Sequence, residues 1–297
     1  MRLRVMRQDQ QPIVCDDGPV KRLVFLDLDG TLLNHDQQLP RSTRNALEQA
    51  IAVGHRLVMC TGRSKLEIYP FLWELGFAGL VGSNGAYGQA GDVTLFDERM
   101  PQEDVSEISS WLESVGAESL WQTAEALYPT QGFLSRFQSD DAGDRTAAGD
   151  WGAYLEQVGP HLREGLPKTA AKVTMFLPFS SGASLLDAHE QFGERFAIID
   201  GSVPHPLGEM GELTARGMNK SVGLARFAAR LGVTISETIA IGDSANDIEM
   251  LRAAGIGVAM GNGTPEAKAA ADWTTTSIDD DGVTAAFEKL GLVGAPV

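Results

Sequence analysis

The chain has 297 residues, of which 43% are hydrophobic and 22% charged, with a formal net charge of −16. That length holds two domains with separate buried cores, and the composition is that of a globular protein, which excludes fibrous and disordered classes. No run of about 18 apolar residues is present to span a bilayer, and the acidic surplus, with no cluster of Lys and Arg, excludes nucleic acid as an expected partner.

The first twenty residues carry Arg2, Arg4 and Arg7 without the apolar stretch of a secretory signal, so residues 1–20 read as a loose tail. Cys15 and Cys60 are the only cysteines, which argues against a disulfide framework and for a cytoplasmic protein. From residue 21, apolar runs without alternation are each followed by a stretch of helical period, the pattern of βα units on a parallel sheet. Leu23–Leu26 is the first predicted strand. A helix is predicted over Ser42–Val53, with Leu47, Ala50 and Ile51 on one face and Gly54 to end it. The strand Leu57–Cys60, a helix from Ser64 to Leu75 closed by Gly76, and the short strand Leu80–Val81 follow.

Between residues 87 and 208 the pattern changes. Trp, Ser, Gly and Pro become more frequent, and apolar segments such as Val173–Leu177 and Phe196–Ile199 are only weakly patterned. This block reads as an inserted α+β domain, with an exposed loop over Ser139–Asp150. The βα pattern then resumes: Leu224, Phe227, Ala228 and Leu231 fall on one helix face ahead of Gly232. A strand at Thr238–Ile241, a helix near Asp247–Ala254, a strand at Ile256–Ala259 and a helix start at Thr264-Pro265 complete the reading. The expected fold is α/β: a doubly wound, Rossmann-like parallel sheet core from residues 21–86 and 209–297, with residues 87–208 inserted.

Four polar clusters fall at the carboxyl ends of predicted strands, where doubly wound sheets bind ligands. In Asp27-Leu28-Asp29-Gly30-Thr31 two carboxylates stand close together and repel unless a cation or a proton intervenes, which suits Mg²⁺; the same residues also make an ordinary turn. Thr61-Gly62-Arg63 offers a hydroxyl and backbone N–H groups at a helix start, as a phosphate cradle or a cap. Lys220 opens the amphipathic helix as a point charge for phosphate or a solvated side chain. Gly242-Asp243-Ser244-Ala245-Asn246-Asp247 supplies metal-binding oxygens or an acidic helix start. Together the four hold what phosphoryl transfer needs: acids for a metal, a nucleophile, donors for phosphate oxygens and a cation.

Val24-Phe25-Leu26-Asp27-Leu28-Asp29-Gly30-Thr31-Leu32-Leu33, Thr61-Gly62-Arg63, Lys220 and Gly242–Asp247 resemble, in order, the four motifs of the haloacid dehalogenase superfamily. Gly257-Val258-Ala259-Met260-Gly261-Asn262 and Asp281-Gly282-Val283 are similar to its Cof-type branch of sugar and small-metabolite phosphatases. The resemblance covers residues 21–86 and 209–290; Ser221 departs from it, standing where the family more often has Gly. More than 150 residues separate the second motif from Lys220, which places the insertion as in the C2 cap class, and Ser83-Asn84-Gly85-Ala86 resembles the exit into that cap.

The resemblance implies a Mg²⁺-dependent phosphomonoester hydrolase acting on a small phosphorylated metabolite, with sugar phosphates first. Asp27 would be the nucleophile, forming an aspartyl-phosphate, and Asp29 the general acid and base. The metal would be held by Asp27, the Asp29 backbone carbonyl and Asp243, and phosphate by Leu28, Thr61, Gly62, Lys220 and Asn246. Ser244, Asp247, Thr31, Arg63 and Asn84 would support them, Asp247 through hydrogen bonds. His205 and Arg136 are candidates for lining the cap. Two alternatives share the scaffold: a phosphotransferase or phosphomutase, and a non-catalytic phosphoryl-binding regulator of the receiver type. Receivers lack the large insertion and the second acid, Asp29.

Overall fold

The computed structural model describes residues 22–134, 151–201 and 206–293. The expected tail and the 139–150 loop, with Cys15, Arg136 and His205, lie outside those residues. Apolar runs buried on both sides set the first βα units. Strand β1 (Leu23–Leu26) is buried throughout, and helix α1 (Arg41–Ala52) turns Thr43, Ala46, Leu47 and Ala50 inward. The helix closes with a Schellman pair: the Gly54 N–H donates to the Ile51 carbonyl and the His55 N–H to the Ala50 carbonyl, both at 3.0 Å. β2 (Arg56–Cys60) follows.

The long helix expected over Ser64–Leu75 does not form. Instead a single 3₁₀ turn (Lys65–Glu67) is closed by a Ser64–Glu67 capping box, Ile68 and Tyr69 are extended, and α2 spans only Pro70–Glu74. Pro70 is the reason: it lacks an N–H donor and drives the preceding Tyr69 out of the helical region. Then come β3 (Gly79–Gly82), β4 (Tyr87–Ala90) and β5 (Val93–Asp97). The sheet is therefore not all parallel, since β4 runs antiparallel to β3. Both β4 and β5 fall in the block read as inserted, yet they extend the first sheet.

The intervening chain forms α3 (Gln102–Ser114), β6 (Glu118–Gln122), β7 (Leu127–Pro129), α4 (Trp151–Val158), β8 (Lys172–Pro178), α5 (Leu185–Phe192), β9 (Phe196–Asp200) and β10 (Gly208–Ala215). The last stretch gives α6 (Lys220–Arg230), β11 (Thr238–Gly242), α7 (Ile248–Ala253), β12 (Ile256–Ala259), α8 (Pro265–Ala270), β13 (Trp273–Thr274) and α9 (Gly282–Lys289). Where one helix was expected near Asp247–Ala254, a 3₁₀ turn over Ala245–Asp247 precedes α7. No helix among the described residues is long and apolar enough to cross a membrane.

Two compact units result. One comprises residues 22–62, 69–96 and 219–293; the other comprises residues 63–68, 97–134, 151–201 and 206–218. The first carries the eight-stranded sheet in the order β13-β12-β11-β1-β2-β3-β4-β5. β1 is parallel to both β2 and β11. The chain winds outward from β1 on one side through β2 and β3, then returns to its other side at β11, so the strand order reverses between β1 and β11. The second unit has an antiparallel sheet in the order β7-β6-β8-β10-β9. Val105, Ile108 and Leu112 of α3 and Ala188 and Phe192 of α5 pack there with Trp121, Val173 and Met175. The turn at residues 63–68 belongs to this unit because Leu66 joins the Leu120–Leu127–Phe133–Tyr154–Val158 cluster. Buried Glu67 also accepts a 2.8 Å hydrogen bond from the Tyr154 hydroxyl.

In the first unit the α6 face read from the sequence packs as expected. Leu224, Phe227 and Ala228 join Leu23, Phe25, Val58 and Val81 in one core, with Phe25 and Phe227 edge to face at 5.8 Å. Removing the fully buried Phe227 ring takes away that packing and leaves a cavity into which the surroundings relax only in part. Phe227→Ala should lower unfolding stability by about 3–5 kcal/mol, read as a lower urea midpoint at unchanged slope.

Candidate active site

Three of the four polar clusters follow strands of the first sheet, after β1, β2 and β11; Lys220 instead opens α6, and the strand before it, β10, belongs to the second sheet. The ladder between β1 and β11 runs one step past the strand, the Asp27 N–H donating to the Ile241 carbonyl at 3.0 Å. The chain then turns on the Leu28 carbonyl, which accepts from the N–H groups of Leu32 and Leu33 at 2.8 and 2.7 Å. The Leu28 side chain is fully buried, so only its backbone is available to a ligand. Gly30 has φ +88°, and a Cβ there would run into the Asp243 carboxylate. Glycine thus lets the loop after β1 approach the turn after β11, and Thr31 completes the join by donating from Oγ1 to Asp243 Oδ1 at 2.8 Å.

Lys220 is the first residue of α6, capped by the Asn219 side chain, which accepts from the Val222 N–H at 3.0 Å. Its ammonium is fully buried and donates to Asp27 Oδ1 and Asp247 Oδ1, each at 2.6 Å. The other Asp247 oxygen accepts from the backbone N–H groups of Asp243 and Ser244, both at 2.9 Å. Asp247 is thereby held by a cation and two amides, and through Lys220 it ties the Gly242–Asp247 turn to the end of β1.

The second cluster joins through a strained turn. Ser83, Asn84 and Gly85 have φ of 50°, 52° and 91° in succession. Left-handed φ at two consecutive non-glycine residues persists only where surrounding contacts impose it. Here the Asn84 N–H donates to the Thr61 carbonyl at 3.2 Å, and Asn84 Oδ1 accepts from Asn246 Nδ2 at 3.3 Å. Ser244 Oγ in turn donates to Asn246 Oδ1 at 2.9 Å. Asp27, Thr31, Thr61, Asn84, Lys220, Asp243, Ser244, Asn246 and Asp247 are therefore linked through one network, with Gly62 next to Thr61. Asp29 accepts at Oδ1 from Gln37 Nε2 at 3.2 Å. Arg63 donates to the Glu67 carbonyl at 3.2 Å within the 63–68 segment that groups with the second unit. Gln37 was not singled out from the sequence, where it sits among Asp36 and Gln38 in a polar loop with nothing to mark it.

Burial and like charges shape the titration. Burial, then the Asp247 charge, raises Asp27 well above the ordinary carboxylate range, against the pull of Lys220. Burial and Asp247 likewise push Asp243 up to about 7, although the Thr31 hydrogen bond opposes them. For Lys220, burial favours the neutral amine, but Asp247 and Asp27 outweigh it and hold the charge. Three carboxylates around one ammonium leave the cluster short of positive charge. Oxygen atoms of Asp27, Asp243 and Asp247 lie within 4.8 Å of one another, a hard-oxygen set that fits Mg²⁺. With both Asp247 oxygens engaged, Asp27 and Asp243 are the carboxylates best placed to hold it.

A sequence profile of haloacid dehalogenase-like hydrolases matches residues 24–287. The chain belongs to this family, and it is a phosphatase. It is 30% identical over 288 residues to the phosphatase YwpJ of Bacillus subtilis, covering 91% of this chain and 99% of that one. It is 29% identical over 252 residues to an HMP-PP phosphatase of Yersinia enterocolitica, covering 83% and 86% of the two chains. Among solved structures, the subclass IIB sugar phosphatase BT4131 superposes with a TM-score of 0.73 at 26% identity, over 92% of this chain and all of that one.

A carboxyl group whose pKa is higher folded than unfolded holds its proton in the native state, so stability falls as pH rises between the two values. For Asp243 that window runs from 3.8 to about 7. In chelator-treated buffer the thermal midpoint should fall as pH is raised from 4 to 7, and Asp243→Asn should flatten the slope. Differential scanning calorimetry across that range checks both.

Proposed function

We propose that the protein is a Mg²⁺-dependent phosphomonoester hydrolase of small phosphorylated metabolites, sugar phosphates first, working through a phosphoryl group carried on Asp27. The observation that carries this reading is the buried Asp27–Lys220–Asp247 bridge at the reversal of strand order. Lys220 holds Asp27 Oδ1, which leaves Oδ2 to attack phosphorus. As the Asp27 oxygen–phosphorus bond forms, the bond to the leaving oxygen breaks, and Asp29 gives that oxygen its proton. Asp29 then takes a proton from water, whose oxygen attacks phosphorus and releases phosphate as the bond to Asp27 breaks. The Gln37 amide on Asp29 Oδ1 orients the carboxyl group for both transfers.

Lys220, Thr61, Asn246 and the backbone N–H groups of Leu28 and Gly62 serve the phosphate oxygens. Asp27, Asp243 and the Asp29 carbonyl would hold Mg²⁺, while Asp247, Ser244, Thr31 and Asn84 keep these groups in place. Bound Mg²⁺ supplies positive charge that offsets repulsion between the carboxylates and the incoming phosphate. The second unit is the cap, which recognises the leaving group and excludes water. A sugar phosphatase and an HMP-PP phosphatase among similar proteins support a small phosphorylated substrate. The net charge of −16 and the unpaired, buried Cys60 support a cytoplasmic enzyme without nucleic-acid partners.

Purified protein should release phosphate from para-nitrophenyl phosphate with Mg²⁺ and lose the activity in excess chelator. Asp27→Asn should lower kcat on the order of 10⁴-fold with circular dichroism unchanged, as loss of a nucleophile does. Retained turnover in that variant removes Asp27 from the reaction. Asp29→Asn should accumulate an acid-stable radiolabelled phosphoenzyme or lose activity, and full activity there removes the proton-transfer role. Phosphate release without any acceptor alcohol separates hydrolysis from phosphotransfer.

A further inference from the structure

Two sequence motifs, Gly257–Asn262 and Asp281–Val283, have no part in the chemistry above. The structure joins them. After β12 the chain folds onto the end of β11: the Met260 N–H donates to the Gly242 carbonyl at 2.9 Å, and the Thr264 N–H to the Asp243 carbonyl at 2.8 Å. From the middle of this loop, Asn262 Nδ2 donates to the Gly30 carbonyl at 2.8 Å. The Gly30 N–H is also engaged, donating to the Leu33 carbonyl at 2.8 Å, so the residue after Asp29 is held at both of its backbone polar atoms.

The Asn262 amide is itself oriented. Its Oδ1 accepts from the Ile278 N–H at 2.9 Å, which leaves the NH₂ group aimed at Gly30. Ile278 is presented by a hook built from the second motif. The Gly282 N–H donates to the Ser277 carbonyl at 2.9 Å, Thr275 Oγ1 to the Gly282 carbonyl at 2.8 Å, and Thr276 Oγ1 to the Asp280 carbonyl at 2.7 Å. Asp281 takes a left-handed φ of 60° at the bend, and its carboxylate accepts from Ser42 Oγ. The Gly261 N–H fastens the hook to the loop by donating to the Thr276 carbonyl at 2.9 Å.

We propose that Asn262 is a positioning residue that sets the spacing between the Asp27–Asp29 loop and Asp243, and thereby the affinity for Mg²⁺. One loop grips the carbonyl of Asp243 through Thr264 and the carbonyl of Gly30 through Asn262. The two acid-bearing strand ends are thus referenced to a common brace. The space beside Gly30 is filled by the Asp243 carboxylate, which a Cβ there would meet, so a shift of the Gly30 backbone would move the adjoining Asp29 carbonyl relative to Asp243. The proposal rests on the Mg²⁺ reading above.

Two variants separate the roles of the amide. Asn262→Asp keeps the acceptor for Ile278 and replaces the donor to Gly30 with a carboxylate; Asn262→Ala removes both. Calorimetric titration with MgCl₂, without substrate, should show Mg²⁺ binding weakened about 3- to 10-fold in both, the range of one lost hydrogen bond. The added charge of Asn262→Asp would by itself tighten Mg²⁺ binding, so the titrations are run in 1 M KCl, where the Debye length is about 3 Å and the contribution of a charge at this exposed position is screened. Binding as tight as wild type in Asn262→Asp overturns the assignment, whether or not Asn262→Ala folds. Wild-type protein that binds no Mg²⁺ and works in chelator overturns the metal reading beneath it, and the assignment with it.

Discussion

A buried ammonium between two buried carboxylates governs this sheet unit. Moving such charges out of water is unfavourable by several kcal/mol each, and only close, hydrogen-bonded partners offset it. Lys220 satisfies one oxygen each of Asp27 and Asp247, and the backbone of Asp243 and Ser244 satisfies the remaining Asp247 oxygen. The charges belong to β1, to the start of α6 and to the turn after β11. They can be paired only if those three elements meet, so the requirement is architectural before it is chemical. The pairing is also incomplete. Asp243 and Asp27 remain short of counter-charge, and both hold protons more tightly than exposed carboxylates do.

The sheet order explains why these residues, so distant in sequence, become neighbours. β1 and β11 are adjacent and parallel, and successive connections leave them in opposite directions. Asp27 and Asp243 emerge at that reversal, each directly after its strand. Close approach there needs small residues as well as charged ones. Gly30 admits the Asp243 carboxylate, and the left-handed run at Ser83–Gly85 places Asn84 between Thr61 and Asn246.

Much of this was legible in the residues. Buried parallel strands read as unbroken apolar runs, so Leu23–Leu26, Leu57–Cys60 and Ile256–Ala259 stood out, and the helical face of Leu224, Phe227 and Ala228 was plain. What escaped followed from tertiary context or from local stereochemistry. Pro70 broke a helix whose apolar period continued through it. Strand β4, Tyr87-Gly88-Gln89-Ala90, is buried but carries a Gly and a Gln, so its pattern gave no sign that it pairs with β3. At the site, acids and the lysine were visible because their chemistry is unusual at strand ends. Gln37 was not, and Asn262 was visible only as part of a motif with no role attached, because a neutral side chain that works by touching another loop leaves no local sign of its partner.

The segment at residues 63–68 has a topological consequence. The polypeptide passes between the two units four times, at 62/63, 68/69, 96/97 and 218/219, whereas a simple insertion needs only two crossings. Glu67 and Leu66 are partnered by Tyr154 and the cluster around it. Transplanting residues 97–218 into a different host would therefore strand a carboxylate and a leucine on one side and expose their seat on the other. Any recombination that preserves both units must therefore carry residues 63–68 along with the larger piece.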